Sequence, residues 1–228
     1  MEFTQEQISE TNRFIQKVYA WMFLGLLISG SIAFYTSTQD WLLTSIFGNK
    51  LVFYALLIFQ LILVGGLVAF IKKIPSYLGA TTFLLYCAIT GLTLSVIFIV
   101  FEFNSIIQVF FIAAGMFGFI SVYGYFTKTD LTGLGHILIM GLFGLILLSI
   151  VNLFIKNSFA DIIISFIGVV IFTGLAAYDT QKIKKTNILG NEGTDEDHKE
   201  AVMGALTLYL DFVNLFLSLL KLFGKRRR

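Results

Sequence analysis

The chain has 228 residues, of which 57% are hydrophobic and only 13% charged, against about 45–50% and about 25% in ordinary soluble domains. A water-soluble fold of this length has too little interior to hide 25 Phe, so a soluble enzyme or binding module is excluded, and a bilayer removes the difficulty. The net charge of +2 names no class of partner.

A spanning helix needs roughly 20 mostly apolar residues, and the sequence predicts seven such segments. They are Val18–Tyr35, Leu51–Ile71, Tyr77–Phe101, Ile106–Phe126, Leu134–Ile155, Ile162–Lys182 and Ala201–Phe223. Residues 1–17 are polar and mixed in charge, without the short apolar core and small-residue cleavage site of a signal peptide, so the first segment is expected to persist. Thr36–Asp40 begins the first break, Lys72–Pro75 separates the second and third segments, and Glu102–Ser105, Thr127–Asp130 and Lys156–Ser158 follow. Lys184–Glu200 reads as the one long, charged loop, with Glu192, Asp195, Glu196 and Asp197 as a solvated acidic patch of non-EF-hand spacing. Strands are excluded because the runs are too long and do not alternate. The fold class is all-α, a seven-helix membrane bundle over residues 1–228 as a single domain.

Cationic loops set orientation. With the N-terminus cytoplasmic, the inner side holds Arg13, Lys17, Lys72, Lys73, Lys128, Lys182, Lys184, Lys185 and Lys199, against Lys50 and Lys156 outside. The tail, Lys221 with Lys225–Arg228, opposes this if the last segment crosses fully and agrees with it if that segment re-enters; full crossing is preferred because the first helices dominate. A cation cluster beside an apolar helix belongs on a membrane surface, so lipid is the expected partner and nucleic acid is not.

Small residues recur at packing spacing in Ala114/Gly118/Ser121, Gly141/Gly144 and Ser165/Gly168. Cys87, alone of its type, reads as a packing residue, and His136 and His198 lack second ligands at metal-binding spacing, so no metal site or cofactor is expected.

Two acidic residues stand out. Asp179 lies near the end of the sixth segment, and Asp211 lies mid-segment in the seventh. A carboxylate at membrane depth costs at least a few kcal/mol and needs protein, water or a partner beside it. Taken singly, Asp179 reads as an interfacial carboxylate paired with Lys182 or Lys184, and Asp211 as a structural acid. Their depths match only if the seventh helix begins outside the membrane. Two ionised carboxylates brought together repel, so a shared proton is the lower-energy state, and such a pair can sense pH and coordinate a hard cation. Tyr178, Tyr209 and Asn214 are candidates to supply hydrogen bonds.

The chain resembles the Bax inhibitor-1 family, also called the transmembrane Bax-inhibitor-motif family, over nearly its whole length. The resemblance is carried by Val18–Met22, Tyr86–Ser95, Gly124–Leu131, Phe172–Ile183 and Gly204–Gly224, the last two together being specific. It implies seven helices with the last one central. It also implies a pH-sensitive calcium leak, with calcium as permeating ion and Asp179 and Asp211 as proton sensor and gate. An arginine of the second segment is associated with that gate in some members; none lies between Leu51 and Ile71, so the resemblance does not extend to a latch of that kind.

Two other classes compete. Paired aspartates also resemble intramembrane aspartyl proteases, but that family's Gly-x-Gly falls on Leu208 and Leu210 here, and its downstream proline motif is absent because Pro75 is the only proline. The protein is therefore not expected to be an enzyme. A non-transporting regulator of membrane proteins is the remaining alternative. The short termini, without targeting extensions, point to a bacterial inner membrane.

Overall fold

A computed structural model describes residues 5–227; Arg228, part of the cationic tail, lies outside them. Nine helices follow one another among the described residues: α1 (Gln5–Ser37), α2 (Asp40–Phe47), α3 (Lys50–Phe70), α4 (Ser76–Leu94), α5 (Val96–Val100), α6 (Phe103–Phe126), α7 (Thr132–Ile155), α8 (Ser158–Thr186) and α9 (Asp195–Phe223). Among the described residues, seven spans are long and apolar enough to cross a membrane, with α4 and α5 together forming one. The protein is a multi-pass membrane protein of the expected class.

The boundaries differ from the hydropathy reading where polar residues continue a helix. α1 starts at Gln5 rather than Val18, and α9 starts at Asp195 rather than Ala201. The connection before α9 is therefore short, and Asp195, Glu196 and Asp197 form the helix's first turn instead of a solvated loop. Two ordinary forces explain this. Acidic side chains favour the positive end of a helix dipole, and the Thr194 hydroxyl accepts the Asp197 N–H at 3.3 Å as a cap. α9 is unbroken over 29 residues, so it does not turn back within the membrane.

The chain divides into two compact units, one formed by the residues up to Val100 with Asn187–Tyr209, the other by Phe101–Thr186 with Leu210 onward. Each is built on one half of α9, which buries 67% of its most apolar stretch, whereas the other spans bury 6% to 44%.

In the first unit, α1 and α4 approach closely at two glycines. A Cβ on Gly25 would sit 2.8 Å from Cys87 Sγ, and one on Gly91 would sit 2.7 Å from the Ser29 carbonyl. Phe83 and Tyr86 meet Tyr209 edge-on, both at 6.0 Å between centroids. The Tyr209 hydroxyl bonds Ser29 Oγ at 2.7 Å, and Ser29 in turn donates to the Cys87 carbonyl, also at 2.7 Å. The N-terminal part of α1 is tied to the connection before α9. Lys17 Nζ lies 2.6 Å from the buried Asp197, Arg13 pairs with Glu192 at 2.7 Å, and the Gly190 N–H donates to Glu10 at 2.7 Å.

In the second unit, Phe110 and Phe117 pack against Phe212 with 5.5 Å between centroids. Small residues again mark close contacts, though only some of the expected stripes do. Gly168 faces Ser218 and Gly141 faces Ile171, while Gly118 and Gly144 have open space around them. The tightest approach between helices is at Gly124, where an added Cβ would meet the Ala177 carbonyl. Backbone cannot yield there as a side-chain end would. Gly124→Ala is therefore expected to cost about 1–3 kcal/mol, read as a lowered thermal unfolding midpoint in detergent, with Gly118→Ala leaving the midpoint unchanged or raised. Equal midpoints for the two variants would contradict the close approach. The chain end is fixed as well: Lys225 pairs with Glu102 at 3.0 Å, its N–H donates to Ser105 Oγ, and Phe101 and Arg226 form a single antiparallel bridge.

Candidate functional site

Asp179 and Asp211 lie in the second unit, on α8 and α9. Asp179 sits seven residues before the end of α8, about 10 Å of rise, and Asp211 sixteen residues past the start of α9, about 24 Å. Both side chains are buried, at 8% and 6% exposure, and their carboxyl groups lie within reach of each other.

The chemistry of that contact is restrictive. Ionised carboxylates only accept, so two of them hydrogen-bond each other only when one carries a proton. Among the described residues, no N–H or O–H group reaches Asp211 Oδ2, although the atom is buried.

The expected supporting groups are differently engaged. Tyr209 is two residues from Asp211, about 200° around the helix, and its hydroxyl bonds Ser29. The Asn214 amide turns back to the Leu210 carbonyl at 2.8 Å within its own helix. The Tyr178 ring packs over Gly135 and under the Lys182 ammonium, 5.7 Å from the ring centroid. Neither Tyr209 nor Asn214 supplies the pair with the hydrogen bond the sequence reading expected. The lysines expected to pair with Asp179 are also turned elsewhere: Lys184 donates to the Tyr125 carbonyl at 2.9 Å and lies over the Tyr125 ring. Lys182 acts on Asp179 only through its charge.

A profile described as "Inhibitor of apoptosis-promoting Bax1" matches residues 11–228. The chain belongs to the Bax inhibitor-1 family. Inner membrane protein YbhL of Escherichia coli K12 is 45% identical over 215 residues, covering 94% of this chain and 92% of its own. A Borreliella burgdorferi protein is likewise 45% identical over 229 residues, covering 100% and 99% of the two chains. A Rickettsia prowazekii protein is 39% identical over 220 residues, covering 94% and 90%.

Beside the aspartate pair of this Bax inhibitor-1 protein, the short α6–α7 connection is fastened to α8. Gln181, 5% exposed, accepts the Leu131 N–H at 2.9 Å and donates to the Thr129 carbonyl at 2.8 Å. The sequence reading missed Gln181. Its signal was a polar amide two residues past Asp179, in a segment otherwise apolar until its end.

Asp130 on that connection is also acidic and must be distinguished from the pair. The Lys185 ammonium 2.8 Å away, helped by the Thr132 hydroxyl and N–H, holds its carboxyl down to about 2. A depressed folded value means that the stabilisation is fully present above the ordinary carboxylate value of about 3.9 and is lost only as pH falls through the folded one. Asp130 thus stays ionised throughout the weakly acidic range. Asp130→Asn is expected to leave the titration of the buried aspartate pair in place; its disappearance in an infrared pH titration would contradict this assignment.

Proposed function

We propose that this Bax inhibitor-1 protein is a pH-sensitive calcium leak, in which Asp179 and Asp211 act together as proton sensor and gate. The observation that supports the reading is the buried carboxyl–carboxyl contact, with Asp211 Oδ2 lacking any donor. Such a site changes its interactions with every proton it gains or loses. When both groups are ionised they repel at short range in a medium where water screens little. The same two carboxylates are hard oxygen ligands, the type that suits calcium. A single proton therefore selects between a closed contact and an arrangement that admits a cation.

The protein resides in a bacterial inner membrane, as the name of its Escherichia coli relative says of that protein. Its N-terminus is cytoplasmic, which puts the lysine-bearing connections at Lys72, Lys73 and Lys128 inside. The unbroken α9 then carries the basic tail to the outer face, beside the Glu102 turn that pairs with it. Calcium and protons are its small partners and lipid its surroundings.

The test is passive calcium entry into proteoliposomes, with a calcium indicator inside and no energy source, from weakly acidic to weakly basic pH. Entry above that of protein-free liposomes, varying with pH, is expected. Entry equal to protein-free liposomes at every pH would remove the proposal.

A further inference from the structure

We propose that Gln181 is the positioning residue of the aspartate pair, gripping the α6–α7 connection from behind so that α8 is held in the rotation that turns Asp179 toward Asp211. This inference rests on the gate reading above and names the part of the fold that sets it.

The argument is one of helix geometry. At 3.6 residues per turn, Ala177, Gln181 and Lys184 fall on one face of α8. Each is held there by the end of α6 or by the connection after it: Ala177 against Gly124, Gln181 on Thr129 and Leu131, and Lys184 on the Tyr125 carbonyl. Asp179 is two residues from both Ala177 and Gln181, about 200° around the helix axis, so it occupies the opposite face, where Asp211 is found. Fixing one face fixes the other.

Gln181 is the strongest of these anchors. Both ends of its amide are used, on an N–H and a C=O of the same connection, in a buried setting where unmade bonds are costly. The Leu131 N–H that it accepts belongs to the residue just before α7, whose own first-turn donors have no helical partner. The motif Gly124–Leu131, for which the gate reading has no use, thereby acquires a role: it is the seat against which α8 is set.

The charged groups around the pair do not provide this control themselves. On α8, Lys182 reaches Asp179 through its charge, while Lys184 and Lys185 are turned to Tyr125 and Asp130. On the connection, Lys128 and Asp130 are exposed, as is His136 on α7. From α9, the charge facing Asp179 is that of Asp211.

Infrared titration of the purified protein in detergent reads carboxyl protonation without relying on transport, with Asp179→Asn and Asp211→Asn assigning the bands. Two variants are compared with the native protein: Gln181→Met, which keeps side-chain length and removes both bonds, and a two-glycine insertion between Lys128 and Thr129, which slackens the connection and leaves Gln181 intact. A misaligned pair interacts less, so the gap between its two titration steps is expected to narrow by about half a pH unit or more in each. A residue serving stability alone would lower the unfolding midpoint and leave the titration where it was. Folded variants that both titrate as the native protein does would overturn the inference, and if Gln181→Met fails to fold, the insertion alone decides in the same way. Calcium flux recorded alongside keeps the two proposals apart: a narrowed titration with unchanged pH dependence of flux supports the role of Gln181 and removes the gate.

Discussion

Replacing either Asp179 or Asp211 with asparagine is expected to flatten the pH response of calcium entry into proteoliposomes. Asparagine keeps the shape of the side chain, and its amide can donate to the remaining carboxylate, so the buried contact survives without a proton shared between two carboxyls. The contact is then fixed in the arrangement that the protonated pair adopts. For a gate that exchanges one proton, the open population changes by at most about tenfold per pH unit, because the linkage slope is about 1.4 kcal/mol per unit and per proton. The native protein should approach that slope somewhere between weak acid and weak base, and each variant should vary by less than about twofold over the same unit. The double variant should be no flatter than the single ones, since the two carboxyls act as one titrating unit. Full pH dependence in either single variant would show that the proton is sensed elsewhere.

The second large effect is expected in the first unit, at Lys17. Asp197 is 1% exposed and takes two donors, the Lys17 ammonium at 2.6 Å and the Gly193 N–H at 2.9 Å. Lys17→Met removes the cation and leaves a buried carboxylate with one backbone donor; because the lysine is itself 30% exposed, water can partly replace it, and the cost is expected at about 1–3 kcal/mol. Arg13, four residues earlier, pairs with Glu192 in the open, with the two side chains 48% and 37% exposed. Exposed pairs contribute little, so Arg13→Ala should scarcely move the unfolding midpoint in detergent, while Lys17→Met should lower it strongly. Asp197→Asn in the Lys17→Met background should recover part of the loss, because the uncompensated charge is gone. Equal midpoints for the two single variants would mean that the Lys17–Asp197 contact is not a buried pair.

The architecture was legible because a membrane imposes one rule, that apolar runs of sufficient length become helices. The seven runs correspond to the seven spans, and errors fell where that rule is silent. The acidic start of α9 reads as loop when charge stands for solvent, although Thr194 with Asp197 three residues later is a capping pattern, and Asp197 is buried against Lys17. The polar start of α1 was lost for the same reason. Small-residue spacing located Gly141 and Gly168 correctly and Gly118 wrongly, because periodicity identifies a face without saying whether it meets a helix or lipid. It passed over Gly124, the closest approach between two helices.

At the candidate site, the sequence marked Asp179 and Asp211 because ionisable groups are rare at such depth. It could not assign their neighbours. Tyr209 and Asn214 were chosen for nearness along the chain, but helix geometry turns Tyr209 to Ser29, and the Asn214 amide bonds its own helix. Gln181 escaped notice because its partners are backbone groups some fifty residues away, at Thr129 and Leu131, which no side-chain pattern reveals.

The most direct test of the account is whether each of the two aspartates feels the charge of the other. Infrared titration of the native protein, Asp179→Asn and Asp211→Asn follows each carboxyl in the presence and absence of its partner. Two linked steps are expected in the native protein, with the surviving carboxyl of each variant titrating at a clearly different pH from its value in the pair. Midpoints that stay the same after the partner is removed would mean that the groups titrate independently, and the proposed gate would have no basis.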